Sequence, residues 1–199
     1  MNECAGSAIE RSTCQSQESS WVSASQEGDT LAFNRLVLKW ERTVYNVASR
    51  MLQDREEAAE ASQEIFLLAF KSIRRFRGDS KFSTWLYRIT LNHCISRLKQ
   101  RPPGTHLSIN DTAGAGLPHD QLRVAETQAG DLIRSEQKSR VLAAISHLPP
   151  EQRAVVELKF FQELTFEDIA EVLGTPLSTI KSRLYAALEI LKVRLRSES

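Results

Sequence analysis

The sequence predicts an all-α protein of two small helical domains joined by a flexible linker, with a helix-turn-helix in the second. Three observations support this. Apolar residues recur at three- and four-residue spacings through 31–52 and again through 141–148, the period of a buried helical stripe. From Arg101 to about Asp131, Pro102, Pro103, Gly104, Gly114, Gly116, Pro118 and Gly130 punctuate a polar run with no period, which reads as a linker. Near the C-terminus a short helical pattern, a Gly-containing turn and a longer helical pattern follow one another.

Residues 1–26 are rich in Ser, Gln and Glu, with Trp21 as their one aromatic, and read as a flexible tail. The first domain is expected over 27–100. Asp29 is a plausible N-cap for a helix carrying Leu31, Phe33, Leu36, Val37, Trp40, Val44, Val47, Ala48, Met51 and Leu52, either one long helix or two in register. In the acidic segment that follows, Ala58, Ala61, Ile65 and Leu68 can face inward while Glu56, Glu60, Gln63 and Glu64 face out. The run Phe76–Leu86 then breaks and restarts a helix. Gly78 permits the turn, Asp79, Ser80 or Ser83 can cap the restart, and Trp85, Leu86, Ile89, Cys94 and Ile95 form the next buried stripe.

After the linker over 101–131, the second domain is expected over 132–199. Ile133, Val141, Leu142, Ile145 and Leu148 mark a helix closed by Pro149-Pro150, and Glu151 to Phe161 forms another. Thr165 with Asp168 three residues on is close to a capping box, opening a short helix that ends at Gly174. Thr175-Pro176 reads as N-cap and first turn of the final helix, with Ile180, Leu184, Leu188 and Leu191 on its buried side.

Charge is segregated along this plan. From Lys71 to Arg101 there are nine Lys or Arg against one acid, Asp79, in a chain whose net charge is only +1. Interleaved with Phe76, Phe82, Trp85 and Tyr87, these cations suit single-stranded nucleic acid, neutralising phosphates while bases stack on rings. The plain alternative is an amphipathic helix with core aromatics and a solvated basic face. Trp85 falls on the core stripe, so the loop Phe76–Ser80 is the better pocket. In the helix-turn-helix, Leu177 and the polar residues Ser178, Thr179, Lys181, Ser182 and Arg183 occupy the start of the second helix, where such motifs meet base edges and phosphates.

Composition narrows the remaining classes. A 41% hydrophobic and 26% charged content describes a globular chain. The longest apolar run, Ile65–Phe70, is too short to span a bilayer, so no membrane insertion is expected. The N-terminus lacks the basic start and apolar stretch of a secretory signal. Cys4, Cys14 and Cys94 have no zinc or disulfide spacing, and a reducing cytoplasm fits best. No Glu-x-x-His pair suggests a di-metal bundle, and no nucleophile-base set or phosphate loop suggests an enzyme. No cofactor is expected.

The run Phe76-Arg-Gly-Asp-Ser-x-Phe-x-Thr-Trp-Leu-Tyr-Arg-Ile with Asn92, the acidic segment before it, and the motifs Leu148-Pro-Pro-Glu-x-Arg153 and Thr179-Ile-Lys-Ser-Arg-Leu184 together resemble the extracytoplasmic-function sigma factors of bacteria. The resemblance covers roughly Asp29–Gln100 and Glu136–Leu195. It implies a factor that binds core RNA polymerase and promoter DNA, with an anti-sigma protein as a further partner. Phe76, Arg77, Gly78, Asp79, Ser80 and Lys81 would hold an extruded base of the minus-ten element, and Arg88 and Asn92 would line its groove. Ser178, Thr179, Lys181, Ser182 and Arg183 would read the minus-thirty-five duplex. Asp54, Glu56, Glu60, Gln63 and Glu64 would dock on the polymerase clamp, and the linker would thread toward its active-site channel. The chain departs from the family pattern at Ala59 and Glu60 in the acidic run, and at Ala186 and Leu188, where Arg is common. The alternative is a conventional helix-turn-helix regulator whose first hundred residues form an effector or dimerisation domain.

Overall fold

Asp29 starts the first domain as expected: its carboxylate accepts hydrogen bonds from the Leu31 and Ala32 amides and caps α2 (Thr30–Leu52), a single helix. The computed structural model describes residues 8–101, 137 and 139–197, with side chains for 17–101, 137 and 139–196. The expected linker, its histidines His106 and His119, and the side chains of Cys4 and Cys14 lie outside the described residues. The remaining elements are α1 (Ala8–Glu27), α3 (Arg55–Ser72), α4 (Phe82–Gln100), α5 (139–146), α6 (Pro150–Val156), α7 (Phe166–Leu173) and α8 (Leu177–Ser197). No strand occurs among the described residues.

Where a tail was expected, the chain is helical from Ala8. Val22 and Ser25 are buried, and Gln26 donates from Nε2 to the carbonyls of Ile73 and Phe76. Glu18 accepts from the Trp40 indole at 2.6 Å. These contacts lie on α2 and the loop before α4, so the helix is held by tertiary packing and not by a periodic apolar face of its own.

Asp54 caps α3, accepting from the Glu57 amide at 2.7 Å. Ala58, Ala61, Ile65 and Ala69 are buried, whereas Leu68, expected inward, is 45% exposed. Ala69 carries the four-residue step onward and leaves Leu68 at the edge. A 3-10 turn, Ile73–Arg75, leads into an extended loop in which Gly78 has φ 76°, a left-handed conformation natural to glycine. Neither Asp79, Ser80 nor Ser83 caps α4. Lys81 holds that position with no side-chain bond, because the helix starts at Phe82, which puts Ser83 inside it and Asp79 and Ser80 ahead of its cap. Leu86, Leu91 and Cys94 are fully buried on α4, and burial pushes the Cys94 thiol up to about 12.

In the second domain Pro150 opens α6, and a π-helical turn, Glu157–Phe161, finishes that segment. Buried Arg153 donates to the carbonyls of Ser146, Leu148 and, across the domain boundary, Met51. Burial, and secondarily the Arg101 charge, lower its pKa to about 10. Thr165 and Asp168 form the full reciprocal capping box, and Gly174 ends α7 in the left-handed region at φ 59°. The final helix begins at Leu177, one residue later than expected. The Pro176 carbonyl accepts from the Thr179 and Ile180 amides, while the Thr175 hydroxyl donates back to Leu173. Leu188, expected in the buried stripe, is 37% exposed, and Ala187 takes that place.

The two domains touch, and their buried apolar side chains form one continuous cluster. At its edge Arg50 donates from Nε and Nη2 to the two carboxylate oxygens of Glu157, each at 2.7 Å. Gln162 donates to the same carboxylate at 3.0 Å and accepts from the Tyr87 hydroxyl at 2.7 Å. Lys99 pairs with Glu151 at 2.6 Å, holding that carboxyl below its usual range.

Two outcomes follow for stability. Glu157 is only 2% exposed while the Arg50 side chain is partly solvated. Arg50→Ala therefore strands a buried carboxylate and costs about 3 kcal/mol or more, and Glu157→Ala costs clearly less; denaturant unfolding of both variants checks the asymmetry. The Asp168 carboxyl is held below its usual range chiefly by the Thr165 hydroxyl. Its contribution is therefore intact above the ordinary carboxylate range and is lost as pH falls through the lowered value. Thr165→Ala costs about 1 kcal/mol and moves the Asp168 titration upward, as NMR titration would show.

Candidate functional site

Three surfaces gather the residues singled out by the sequence. The first is the loop before α4. Phe76 is half-buried, its ring 5.2 Å from Trp85 and 6.1 Å from Phe82, while Arg77, Gly78, Asp79 and Lys81 are exposed and Ser80 is half-buried. Phe76, Arg77, Gly78, Ser80 and Lys81 line a cleft of about 370 Å3. Its opposite wall is α1, a contribution that a reading of 1–26 as tail misses. Its signal is local but faint: Trp21-Val22 is the single bulky apolar pair in that segment.

Arg88 and Asn92 do not join this cleft. The Arg88 guanidinium donates to the carbonyls of Glu171 and Val172 at the end of α7, the Val172 bond being 3.2 Å; a cation there also meets the negative end of the helix dipole. Asn92 is exposed and lines a separate groove of about 610 Å3 with Lys71, Arg75 and Ser96. The basic stretch is divided accordingly. Arg97 pairs with Glu60 at 3.6 Å and Glu64 at 3.1 Å, Arg101 pairs with Glu57, and Lys99 with Glu151. Lys71, Arg74, Arg75, Arg77 and Lys81 make no ion pair among the described residues, so the unpaired positive charge sits between the end of α3 and the start of α4.

The second surface is the acidic side of α3. Glu56, Glu60, Gln63 and Glu64 are exposed, Glu60 at 70%, and Asp54 is used as the helix cap. Arg97 offsets part of this charge and His93 Nε2 lies 2.9 Å from Glu64, leaving Glu56 and most of Glu60 open.

The third is the start of α8. Ser178, Lys181 and Ser182 are exposed, with Thr179 and Arg183 half-buried beside them. Ser182 donates to the Thr179 carbonyl at 3.0 Å, and the Lys181 ammonium lies 5.8 Å from the Phe166 ring centre. Arg183 contributes to holding Glu151 ionised. α7, the Gly174 turn and α8 thus present a short polar and cationic tip. Among the described residues no group of His, Cys, Asp and Glu could hold a metal, and no helix is long and apolar enough to cross a membrane.

Two family models match the chain. The family described as sigma-70 region 2 matches residues 36–102, and that described as sigma-70 region 4 matches residues 138–191. The chain is 35% identical over 181 residues to the RNA polymerase sigma-H factor of Pseudomonas aeruginosa, covering 89% of this chain and 93% of that protein. It is 32% identical over 174 residues to the ECF RNA polymerase sigma-E factor of Haemophilus influenzae, covering 86% and 91%. Among solved structures, the sigma factor RpoE of Bartonella quintana, captured with the anti-sigma factor NepR, superposes with a TM-score of 0.59 at 22% identity, covering 84% of this chain and 98% of that one. A regulator with an unrelated first domain does not account for the region 2 match. With both regions present in order and a relative matched over nearly its whole length, the chain belongs to the sigma-70 family as an extracytoplasmic-function RNA polymerase sigma factor.

Proposed function

We propose that this sigma factor divides promoter recognition between its two helical domains: 27–100 binds polymerase and opens the minus-ten element, and 132–199 reads the minus-thirty-five duplex. The observation that carries this is the coexistence of two separated cationic surfaces, the α8 tip and the 71–81 segment. Ser178, Thr179, Lys181, Ser182 and Arg183 contact bases or phosphates in the major groove. Phe76 to Lys81 cradle an extruded base, with Arg88 and Asn92 along the strand. Stacking a base on protein returns about 1–3 kcal/mol, comparable with the few kcal/mol that unstacking costs, so opening also draws on polymerase contacts. Arg88 reaches DNA only after leaving the end of α7, which makes separation of the domains a step of promoter engagement.

Asp54, Glu56, Glu60, Gln63 and Glu64 form the polymerase-docking face, met by basic partner residues. The chain acts as an initiation factor and not as an enzyme, in the compartment of its polymerase, the cytoplasm. An anti-sigma protein is a further partner on this reading, supported by the solved complex of a sigma factor of the same fold.

Lys181→Ala or Arg183→Ala should weaken promoter binding by about 1–3 kcal/mol in a manner that depends on upstream sequence; equal binding to scrambled upstream elements removes the assignment. Glu56→Lys with Glu60→Lys should lower affinity for core polymerase, read by co-purification, while upstream duplex binding is retained. Unchanged co-purification would show that docking uses another face.

A further inference from the structure

The cleft beside Phe76 has a wall outside both matched regions, since α1 precedes residue 36. At about 370 Å3 it lies in the range of small-ligand sites, ~300–1,000 Å3. Gln26 ties the two walls together by donating to the Phe76 carbonyl across 50 residues of sequence. Within the α1 wall stands Glu18, whose side chain is 13% exposed. Its Oε1 is fixed by the Trp40 indole at 2.6 Å and the Lys39 ammonium at 3.2 Å. Its other oxygen, Oε2, has no partner among the described residues.

A carboxylate offers acceptors only. One that is fixed, largely desolvated and open on one oxygen discriminates between groups that donate and groups that accept. Cytosine, adenine and guanine each carry an exocyclic amine; thymine carries none, and its single ring donor is flanked by carbonyls. Carboxylates accept from the amine of cytosine in base recognition generally. Arg77 and Lys81 across the cleft offset the repulsion between Glu18 and the DNA backbone.

We propose that Glu18 is a specificity-determining residue of the minus-ten site, accepting a hydrogen bond from the exocyclic amine of the extruded base and so excluding thymine. This rests on the reading of the loop Phe76–Lys81 as the base-binding site. The test uses the full chain assembled with core polymerase and single-stranded minus-ten oligonucleotides carrying each base at each position. At one position the wild-type assembly should disfavour thymine by about tenfold against the best amine-bearing base, the ratio expected of one hydrogen bond to a charged acceptor. An analogue of that base lacking only the amine should lose the same factor. Glu18→Gln, which keeps an acceptor for Trp40 and nearly the same shape, should reduce both ratios to below about threefold, with upstream duplex binding and thermal melting unchanged.

Thymine discrimination that survives in Glu18→Gln, or tight single-strand binding with no thymine-averse position, overturns the assignment of Glu18 alone. Absence of single-strand binding by the wild-type assembly overturns the base-binding reading of the loop, and this inference with it. Should Glu18→Gln melt early, Trp40→Phe, which releases the anchor and leaves the carboxylate in place, must weaken the discrimination; if it does not, the proposal fails.

Discussion

A carboxylate at 2% exposure, Glu157, is the constraint on which the arrangement of the two domains depends. Left alone in such a site it is strongly unfavourable; here Arg50 answers it with two parallel hydrogen bonds and Gln162 with a third. Because Arg50 sits on α2 and Glu157 on the π-helical turn after α6, satisfying this one charge brings the helix-turn-helix against the first domain. Tyr87 joins through Gln162, its phenol pushed up to about 12 by burial and by the nearby Glu157 charge. Arg153 reinforces the junction from the other side by donating to Met51.

This closure redistributes the basic charge so prominent in the primary structure. Four of the nine cations between Lys71 and Arg101 are committed within the chain: Arg88 to the end of α7, Arg97 and Arg101 to α3, and Lys99 to α6. What remains for phosphate is concentrated in the other five, Lys71, Arg74, Arg75, Arg77 and Lys81, around the turn that Gly78 permits. The acidic side of α3 is likewise trimmed by Arg97, so the two faces are less opposed than their composition suggests. Charge counting along a segment measures what is available to all partners, and intramolecular partners take the first share.

Features set by neighbours in the chain are legible in the sequence. The Asp29 cap, the Thr165–Asp168 box and the Gly174 stop are each decided within four residues, and each stands where the pattern puts it. Features set at a distance were not legible. Arg50 and Glu157 are 107 residues apart, and nothing near either announces the other. α1 has too few apolar residues for a periodic signal and is stabilised by partners on α2 and the 73–76 segment, so its contribution to the cleft, Glu18 and Gln26, was missed. Leu68 and Leu188 drifted outward because 3.6 residues per turn shifts a stripe by a fraction of a residue each turn, and Ala69 and Ala187 close the gap instead.

The fully buried sulfur on α4 carries one more implication. Oxidants act on the thiolate form of cysteine, and Cys94, enclosed by packing and with its pKa pushed up to about 12, presents almost none at physiological acidity. Peroxide or an electrophile arriving in solution finds no handle there while the helix stays docked. Sulfur chemistry at this position is thus silenced by packing, and stress of that kind could act through it only by first pulling the domain apart.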